Sequence, residues 1–338
     1  MTIDSPSRPP WLDTEPLRAL VATPDVRVAH PLDMRPPHLR LSGRMTQRRL
    51  DPVRLQLASW AFSTRRVSMD VACDLLPPKG QPVAGDLVLA RVDDIGHHGA
   101  LQLVNGRRRQ LFVGNEVVVA YGNRYAPNQF EAEVPASIAP CHLVAAGGIA
   151  ARARSWHASI ARGPTKITPL GLLADDNGKR INLRDFALGA VQPPEYQPTA
   201  IAVVGTCMDS GKTQTCVHLV RGLIDGGLRV GYAKITGTGA CGDYWSLRDA
   251  GADPVLDFTD VGWPTTYLLD QKDVEQTMVS LVHHLARHGV DAMILEIADG
   301  VLQRETAALL SSQTFRELVG GIVLAAQDSM GALAGVQW

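Results

Sequence analysis

The chain has 338 residues and a formal net charge of −1, with 33 Lys and Arg against 34 Asp and Glu. This balance does not favour a nucleic-acid partner, because nucleic-acid-binding proteins normally carry a basic excess. The apolar runs are short and the first ten residues are polar and proline-rich, so we expect no membrane-spanning segment and no secretory signal. The five cysteines are dispersed and lack Cys-x-x-Cys spacing, so we expect neither a disulfide framework nor a zinc site. A reducing cytoplasm is the expected location.

The first half of the chain has the pattern of a β-rich domain. Residues 1–37 carry many prolines and predict a poorly ordered arm, and residues 38–190 show short strand-like runs separated by turn signals. The dipeptides Asn105-Gly106 and Asn177-Gly178 favour tight hairpin turns, so we predict a compact β-barrel or sandwich. The predicted strands cover residues 86–92, 100–104, 110–113, 116–120, 129–134, 170–173 and 181–183, and one helix is predicted over 50–62.

The second half has the pattern of an α/β domain. Residues 191–198 contain three prolines and predict a linker. From residue 199 to 338, strand and helix patterns alternate, which indicates a mainly parallel sheet with helices on both faces. A last helical run starts at Ser329, so we expect an incomplete P-loop domain with an unpaired edge beside the last strand. The predicted strands cover 200–204, 229–233, 291–296 and 319–326, and the predicted helices cover 212–225 and 274–288.

The run Gly205-Thr-Cys-Met-Asp-Ser-Gly-Lys-Thr213 joins the first of these strands to the first helix, which is the setting of a phosphate-binding P-loop. Successive backbone N–H groups and the helix N-terminus would hold the phosphates. Lys212 would reach the β- and γ-phosphates, and the Thr213 hydroxyl would join the Mg²⁺ shell. Five residues separate the two glycines, where the Walker A pattern has four. The predicted nucleotide-binding residues are Gly205, Thr206, Asp209, Ser210, Gly211, Lys212, Thr213 and Thr236.

Three segments taken in order resemble dethiobiotin synthetase and related P-loop proteins of unassigned function. They are the long P-loop, the strand that ends Lys234-Ile-Thr236-Gly237, and the run from Ile294 to Gly300 that contains Glu296. The resemblance implies ATP and Mg²⁺ as cofactors, with Lys234 contacting an anionic acceptor or the γ-phosphate. It also implies that Glu296 orients Mg²⁺, with Asp243 or Asp249 as a second acid. Cys207 and the pair Asp299-Gly300 depart from the family pattern, so the substrate does not follow.

These features predict an ATP- and Mg²⁺-dependent enzyme that transfers or activates a phosphoryl group on a small carboxylate-like or carbamate-like acceptor. The expected catalytic residues are Lys212, Lys234 and Glu296, and the expected metal-binding residues are Thr213, Glu296 and Asp243. The alternatives are a switch or chaperone-type ATPase that drives partner or cofactor delivery, and a nucleotide-binding regulatory protein. The absence of an Asn-Lys-x-Asp motif favours ATP over GTP, and a homodimer is left open.

Overall fold

The computed structural model describes residues 26–28 and 48–338, so most of the predicted arm over 1–37 lies outside the described residues. Among the described residues up to 174 the regular structure is mainly strand, with one α-helix, α1 (Pro52–Leu57). The strands are β1 (Val26–Val28), β2 (Arg48–Arg49), β3 (Ser59–Trp60), β4 (Asp74–Leu76), β5 (Leu87–Asp94), β6 (Ala100–Gln102), β7 (Arg108–Gln110), β8 (Glu116–Tyr121), β9 (Arg124–Tyr125), β10 (Phe130–Glu133), β11 (Cys141–Ala145), β12 (Ile149–His157) and β13 (Thr165–Ala174).

Five of these strands pair in a closed ring. β13 pairs with β5, β5 with β8, β8 with β12, β12 with β11, and β11 with β13. Side chains alternate between the two faces of a strand, and both faces of β5 are buried. Val88 and Val92 pack in one apolar cluster, whereas Leu87 and Leu89 pack in another. The sequence of this strand is therefore a nearly continuous apolar run and not an alternation of apolar and polar residues.

Several predicted boundaries in this half are wrong. Of the range predicted as a helix over 50–62, only α1 is α-helical, because Ser59 and Trp60 pair with β8 and a 3₁₀ turn follows. The strand predicted over 110–113 overlaps β7 only at Gln110, where β7 ends. The segment predicted as a strand over 181–183 forms an isolated bridge at Asn182 and then a 3₁₀ turn. Strands β11 and β12 were not predicted, and three alanines, which are depleted in strands, dilute the pattern of β12.

From residue 199 the chain forms a five-stranded parallel sheet, whose strands lie side by side in the order Val255–Asp257, Val230–Thr236, Ala292–Ile297, Thr199–Gly205 and Gly321–Ala325. The predicted helix over 212–225 is confirmed at both ends. The elements are β14 (Thr199–Gly205), α2 (Lys212–Asp225), β15 (Val230–Thr236), α3 (Cys241–Asp249), β16 (Val255–Asp257), α4 (Gln271–Arg287), β17 (Ala292–Ile297), α5 (Arg304–Leu310), α6 (Gln313–Leu318), β18 (Gly321–Ala325) and α7 (Ser329–Gln337).

Helices cover both faces of this sheet, as the alternating pattern predicts. Met278 and Leu285 of α4 pack with Leu295 of β17 in one apolar cluster. Val220 of α2 packs with Ile294, the neighbouring residue on β17, in a second cluster. In the described part of the chain, β18 pairs with β14 alone and forms one edge of the sheet. No helix there is long and apolar enough to cross a membrane.

Candidate functional site at the carboxyl ends of the parallel strands

The P-loop joins the carboxyl end of β14 to the first turn of α2. Gly211, the residue before α2, has a φ of 93°, a conformation that L side chains rarely adopt. At Gly205 a side chain would overlap Ser210 and Lys212, so the loop folds closely over the end of the strand. The backbone therefore requires both glycines that define the motif.

Lys212 is buried beneath the loop, with 3% of its surface exposed. Its ammonium group donates hydrogen bonds to the carbonyl oxygens of Cys207, at 2.7 Å, and Met208, at 3.1 Å. Burial lowers the pKa of Lys212, and the negative charges of Glu296 and Asp299 oppose that shift. Two neutral carbonyls accept hydrogen bonds from this ammonium but do not neutralise its charge, which stays available to a phosphate.

Beside Lys212, side chains from α2, β15, α3 and β17 form a hydrogen-bonded group, here called the site cluster: Thr213, Tyr232, Lys234, Asp243 and Glu296. The Thr213 hydroxyl lies 3.1 Å from Glu296 Oε1 and 3.4 Å from Asp243 Oδ1. Lys234 Nζ donates to Glu296 Oε1 at 2.9 Å and to Asp243 Oδ2. The Tyr232 hydroxyl donates to Glu296 Oε2 at 2.9 Å. The structure thus brings together the predicted residues Thr213, Lys234, Asp243 and Glu296.

The charges of the site cluster stabilise each other. Burial acts to lower the pKa of Lys234, but Asp243 and Glu296 outweigh burial, and the pKa lies above its ordinary value. Burial acts to raise the pKa of Asp243, but the charge of Lys234 outweighs it and the pKa is lowered. Burial raises the pKa of Tyr232 well above its usual range, so its hydroxyl stays a donor to Glu296.

The oxygen atoms of this cluster suit Mg²⁺, which prefers a few hard oxygen ligands together with phosphates. The Thr213 hydroxyl and the Asp243 carboxylate converge next to the P-loop, with Glu296 behind them. Mg²⁺ would therefore be held by Thr213 and Asp243, and Glu296 would orient the Thr213 hydroxyl. The ammonium of Lys234 contacts Asp243 as well as Glu296, so it would compete with a divalent cation for the Asp243 carboxylate.

The other residues predicted for the site lie outside the site cluster and have different contacts. The Thr236 hydroxyl is buried and donates to the carbonyl of Ala298, which ties β15 to the segment after β17. The Thr206 backbone N–H donates to the carbonyl of Ala325 at 3.0 Å, so it is engaged with β18. Ser210 Oγ is buried without a hydrogen-bond partner among the described residues. Asp249 lies exposed at the end of α3, away from the site cluster.

Sequence reasoning missed the residues that the β-rich half places against this site. Asn128, in the loop between β9 and β10, donates a hydrogen bond to the Asp209 carboxylate in the P-loop. Arg124 of β9 interacts electrostatically with Asp299, which follows β17. Asp299 also interacts with Lys212 and Lys234, and burial raises its pKa. These residues are distant in sequence, so no local spacing marks them.

Helix α3 touches both halves of the chain. Its first residue, Cys241, donates its backbone N–H to the Gln102 side chain of β6 at 2.8 Å. The ring of Tyr244 lies edge-on to Phe62, with ring centroids 5.5 Å apart. Asp243, between these two residues, faces Thr213 and Lys234. One short helix therefore connects the site cluster to the β-rich half.

A second buried ion group lies next to α3 and is here called the interface cluster: Arg65, Asp257, Thr259 and Asp260. The guanidinium of Arg65 lies 2.7 Å from Asp260 and 3.1 Å from Asp257, and it donates to Thr259. It stacks on the rings of Phe62 and Tyr244. A small crevice lined by Lys234, Asp243, Tyr244 and Asp257 runs between the two clusters.

Comparison with known proteins gives only distant similarity. No protein-family model matches the chain, and no curated protein matches it. The solved structures that match include the signal recognition particle receptor FtsY from Elizabethkingia anophelis in complex with GDP, with 18% identity over 40% of this chain and 42% of that chain and a TM-score of 0.30. They also include the cell division protein ftsY from Thermotoga maritima, with 17% identity over 46% of this chain and 53% of that chain and a TM-score of 0.31.

A third match is the Signal Recognition Particle 54 kDa protein from Aeropyrum pernix K1 in complex with GDP, with 19% identity over 46% of this chain and 43% of that chain and a TM-score of 0.28. The chain spans about half or less of the length of these proteins. Because the TM-scores are low, the P-loop fold rests on the sheet order and loop geometry described above. The resemblance to dethiobiotin synthetase stays a prediction.

Proposed function

We propose that the chain binds ATP and Mg²⁺ at the P-loop, hydrolyses the nucleotide, and passes the nucleotide state to its β-rich half through α3. One observation carries the proposal. Asp243 of α3 contacts Thr213 and Lys234 in the site cluster, while Cys241 on the same helix contacts Gln102 of the β-rich half. A change in the partners of Asp243 therefore acts on a helix whose N-terminus the other half holds.

Nucleotide binding would change those partners through charge. Lys212 would exchange its two loop carbonyls for phosphate oxygens, because charged acceptors bind an ammonium more strongly than neutral ones. When bound, Mg²⁺ neutralises charge on the phosphates. Thr213 and Asp243 would turn their oxygens towards the metal, which weakens the pairing of Asp243 with Lys234 because two cations then share one carboxylate. Loss of the terminal phosphate would reverse these exchanges.

Hydrogen–deuterium exchange with ADP and with a non-hydrolysable ATP analogue, each with Mg²⁺, tests this proposal. We expect the amides of α3 and of residues 100–110 to differ in protection between the two nucleotides, because both segments lie on the path from Asp243. Asp243→Asn should remove the difference, whereas the matched control Asp249→Asn, at the exposed end of the same helix, should keep it. Identical exchange with two nucleotides that both bind would refute the switch. GTP and GDP run in parallel would show which base is preferred.

A second candidate function is phosphoryl transfer to a small carboxylate or carbamate-like acceptor, with Lys212, Lys234 and Glu296 as the catalytic residues. Asp299 supports it, because this partly exposed carboxyl group lies in the field of Lys212 and Lys234 and accepts no hydrogen bond from a described residue. In open parallel sheets, ligands bind at the carboxyl ends of the strands, where Asp299 lies. An acceptor could therefore approach the terminal phosphate from this side.

Product analysis separates the two functions. Purified protein is incubated with ATP, Mg²⁺ and a panel of small carboxylic acids, and the products are identified by mass spectrometry. A phosphorylated or condensed acceptor favours transfer, and inorganic phosphate alone favours the switch. Light scattering with each nucleotide shows in addition whether a homodimer forms in only one nucleotide state, which is expected of a switch and not of a transferase.

A further inference from the structure

We infer that Arg124, from the β-rich half, binds an oxyanion of the nucleotide's terminal phosphate and so completes the phosphate site across the contact between the two halves. This inference rests on the proposed nucleotide binding. It adds a residue from outside the P-loop half, at a position that no motif in the sequence marks.

The first support is the burial of an arginine without an ionic partner. Arg124 is 8% exposed, and it forms no ion pair within the part of the chain that the structure describes. Its Nε–H has no hydrogen-bond partner there. A buried charge is costly unless an opposite charge compensates it, so the position indicates an anion that arrives with a ligand.

The second support is the place of Arg124 in the fold. Its strand, β9, leads into the loop that carries Asn128, and Asn128 donates to Asp209 inside the P-loop. Arg124 interacts electrostatically with Asp299, and Asp299 interacts with Lys212. The loop that follows Arg124 therefore contacts the P-loop directly, and the guanidinium lies near enough to the segment after β17 to interact with Asp299.

The third support is that Arg124 is held in place before any ligand binds. One guanidinium nitrogen donates to the carbonyl of Val144, and another donates to Gln129 Oε1 at 2.7 Å. A donor fixed in this way loses little conformational freedom on binding, which is the arrangement expected of a preorganised anion contact. Burial lowers the pKa of Arg124 to about 10, with Asp299 opposing the shift, so the side chain is still cationic at neutral pH.

A purely structural role would give Arg124 a different environment. Arg65, the comparable buried arginine of the same half, has two carboxylates within 3.1 Å. Arg124 has no carboxylate within ion-pair distance, and Asp299 acts on it only at longer range. Its guanidinium contacts a carbonyl, an amide oxygen and the ring of His98, whose Nε2 lies 3.3 Å away and also contacts Val144. Burial lowers the pKa of His98 to about 3, so its ring is neutral and does not offset the arginine's charge.

The experiment compares the binding of two nucleotides by isothermal titration calorimetry. The dissociation constants of Mg·AMP-PNP and Mg·ADP are measured for the wild type, Arg124→Gln, Arg124→Lys and the control Arg154→Gln, an exposed arginine of β12. In Arg124→Gln the preference for AMP-PNP over ADP should fall about tenfold or more, since a charge-assisted hydrogen bond to the terminal phosphate is lost. ADP affinity should change little. Arg124→Lys should keep part of the preference, and Arg154→Gln should keep all of it.

The outcomes separate this inference from the proposed function. If the wild type binds neither nucleotide, the proposed function fails, and the inference fails with it. If the wild type binds both and Arg124→Gln keeps the wild-type preference, only the inference fails, and the anion met by Arg124 is then not the terminal phosphate. An equal loss of affinity for both nucleotides also overturns it. Should Arg124→Gln not fold, as judged by circular dichroism, an unchanged preference in Arg124→Lys overturns it.

Discussion

The two buried ion clusters at the carboxyl edge of the parallel sheet have similar components and opposite behaviour. Each places one cation against two carboxylates: Lys234 with Asp243 and Glu296 in the site cluster, and Arg65 with Asp257 and Asp260 in the interface cluster. The cation of the site cluster comes from the same half as its carboxylates. The cation of the interface cluster comes from the other half of the chain.

Exposure separates their roles. The side chain of Asp243 is 31% exposed and faces Thr213, whereas that of Asp260 is 6% exposed. For Asp243 the charge of Lys234 outweighs burial and its pKa is lowered, whereas for Asp260 burial outweighs the charge of Arg65 and its pKa is raised. The open cluster can exchange a partner for a ligand. The enclosed cluster holds the two halves together.

The largest effect is expected from breaking the interface cluster. Arg65→Met leaves Asp257 buried without a cation and Asp260 with only Arg66, 3.6 Å away, and removing one partner of a buried ion group costs about 3–5 kcal/mol. Urea unfolding at neutral pH measures the loss. The control Arg91→Met removes the exposed pair with Asp93 and should cost at most about 1 kcal/mol. Equal losses in the two variants would show that the interface cluster does not hold the halves together.

The next effect tests whether the P-loop beside the site cluster binds a nucleotide. At a hundred times the dissociation constant, Mg·ATP should stabilise the wild type by about 2.7 kcal/mol. Lys212→Ala should lose most of this gain, because the buried ammonium beneath the loop is removed. Thermal unfolding with and without Mg·ATP measures it, and Lys272→Ala, on the exposed face of α4, should behave like the wild type. A full nucleotide response in Lys212→Ala would contradict the P-loop assignment.

A smaller effect is expected where α3 joins the two clusters. Gln102→Ala removes the side chain that accepts from the Cys241 N–H, and loss of one such hydrogen bond costs about 1 kcal/mol. Urea unfolding measures this cost, and the nucleotide-dependent protection of α3 should weaken in parallel. Gln110→Ala, on the exposed end of the neighbouring strand β7, is the matched control. A wild-type response of α3 in Gln102→Ala would show that the contact with β6 is not the connection between the halves.

The parts of the site that the sequence predicted are those that depend on local spacing. The P-loop lies between one strand and the helix that follows, so Gly205, Gly211, Lys212 and Thr213 are fixed by nine consecutive residues. Lys234 and Glu296 end neighbouring parallel strands, whose carboxyl ends meet at one edge, so their proximity also follows from the pattern. Asp243 could also be predicted, because α3 begins soon after β15 and therefore starts near the same edge of the sheet.

What the sequence did not predict depends on contacts between distant segments. Arg65 lies 195 residues before Asp260, and Asn128 lies 81 residues before Asp209. No periodicity or spacing marks such pairs, since they arise only when the two halves pack together. The contact between the Thr236 hydroxyl and the Ala298 carbonyl also joins segments 62 residues apart, and the assignment of Thr236 to the nucleotide stays a prediction. The closed ring of strands likewise depends on the pairings of β11 with β12 and β13, which no local pattern specifies.

The smallest expected effect concerns pH, and the two clusters should respond with opposite signs. The pKa of Asp243 is lowered in the folded protein, so below about pH 4 the unfolded chain binds more protons and stability is lost as the pH falls. The pKa of Asp260 is raised, so its contribution is present below about pH 4 and is lost as the pH rises through the folded value. Urea unfolding at half-unit steps from about pH 3 to about pH 6, the range in which carboxyl groups ordinarily titrate, measures how the free energy of unfolding changes with pH for each cluster. Asp243→Asn should flatten the loss on acidification, and Asp260→Asn should flatten the loss on raising the pH. If both variants change the profile in the same direction, the two clusters do not differ in the way that their exposure implies.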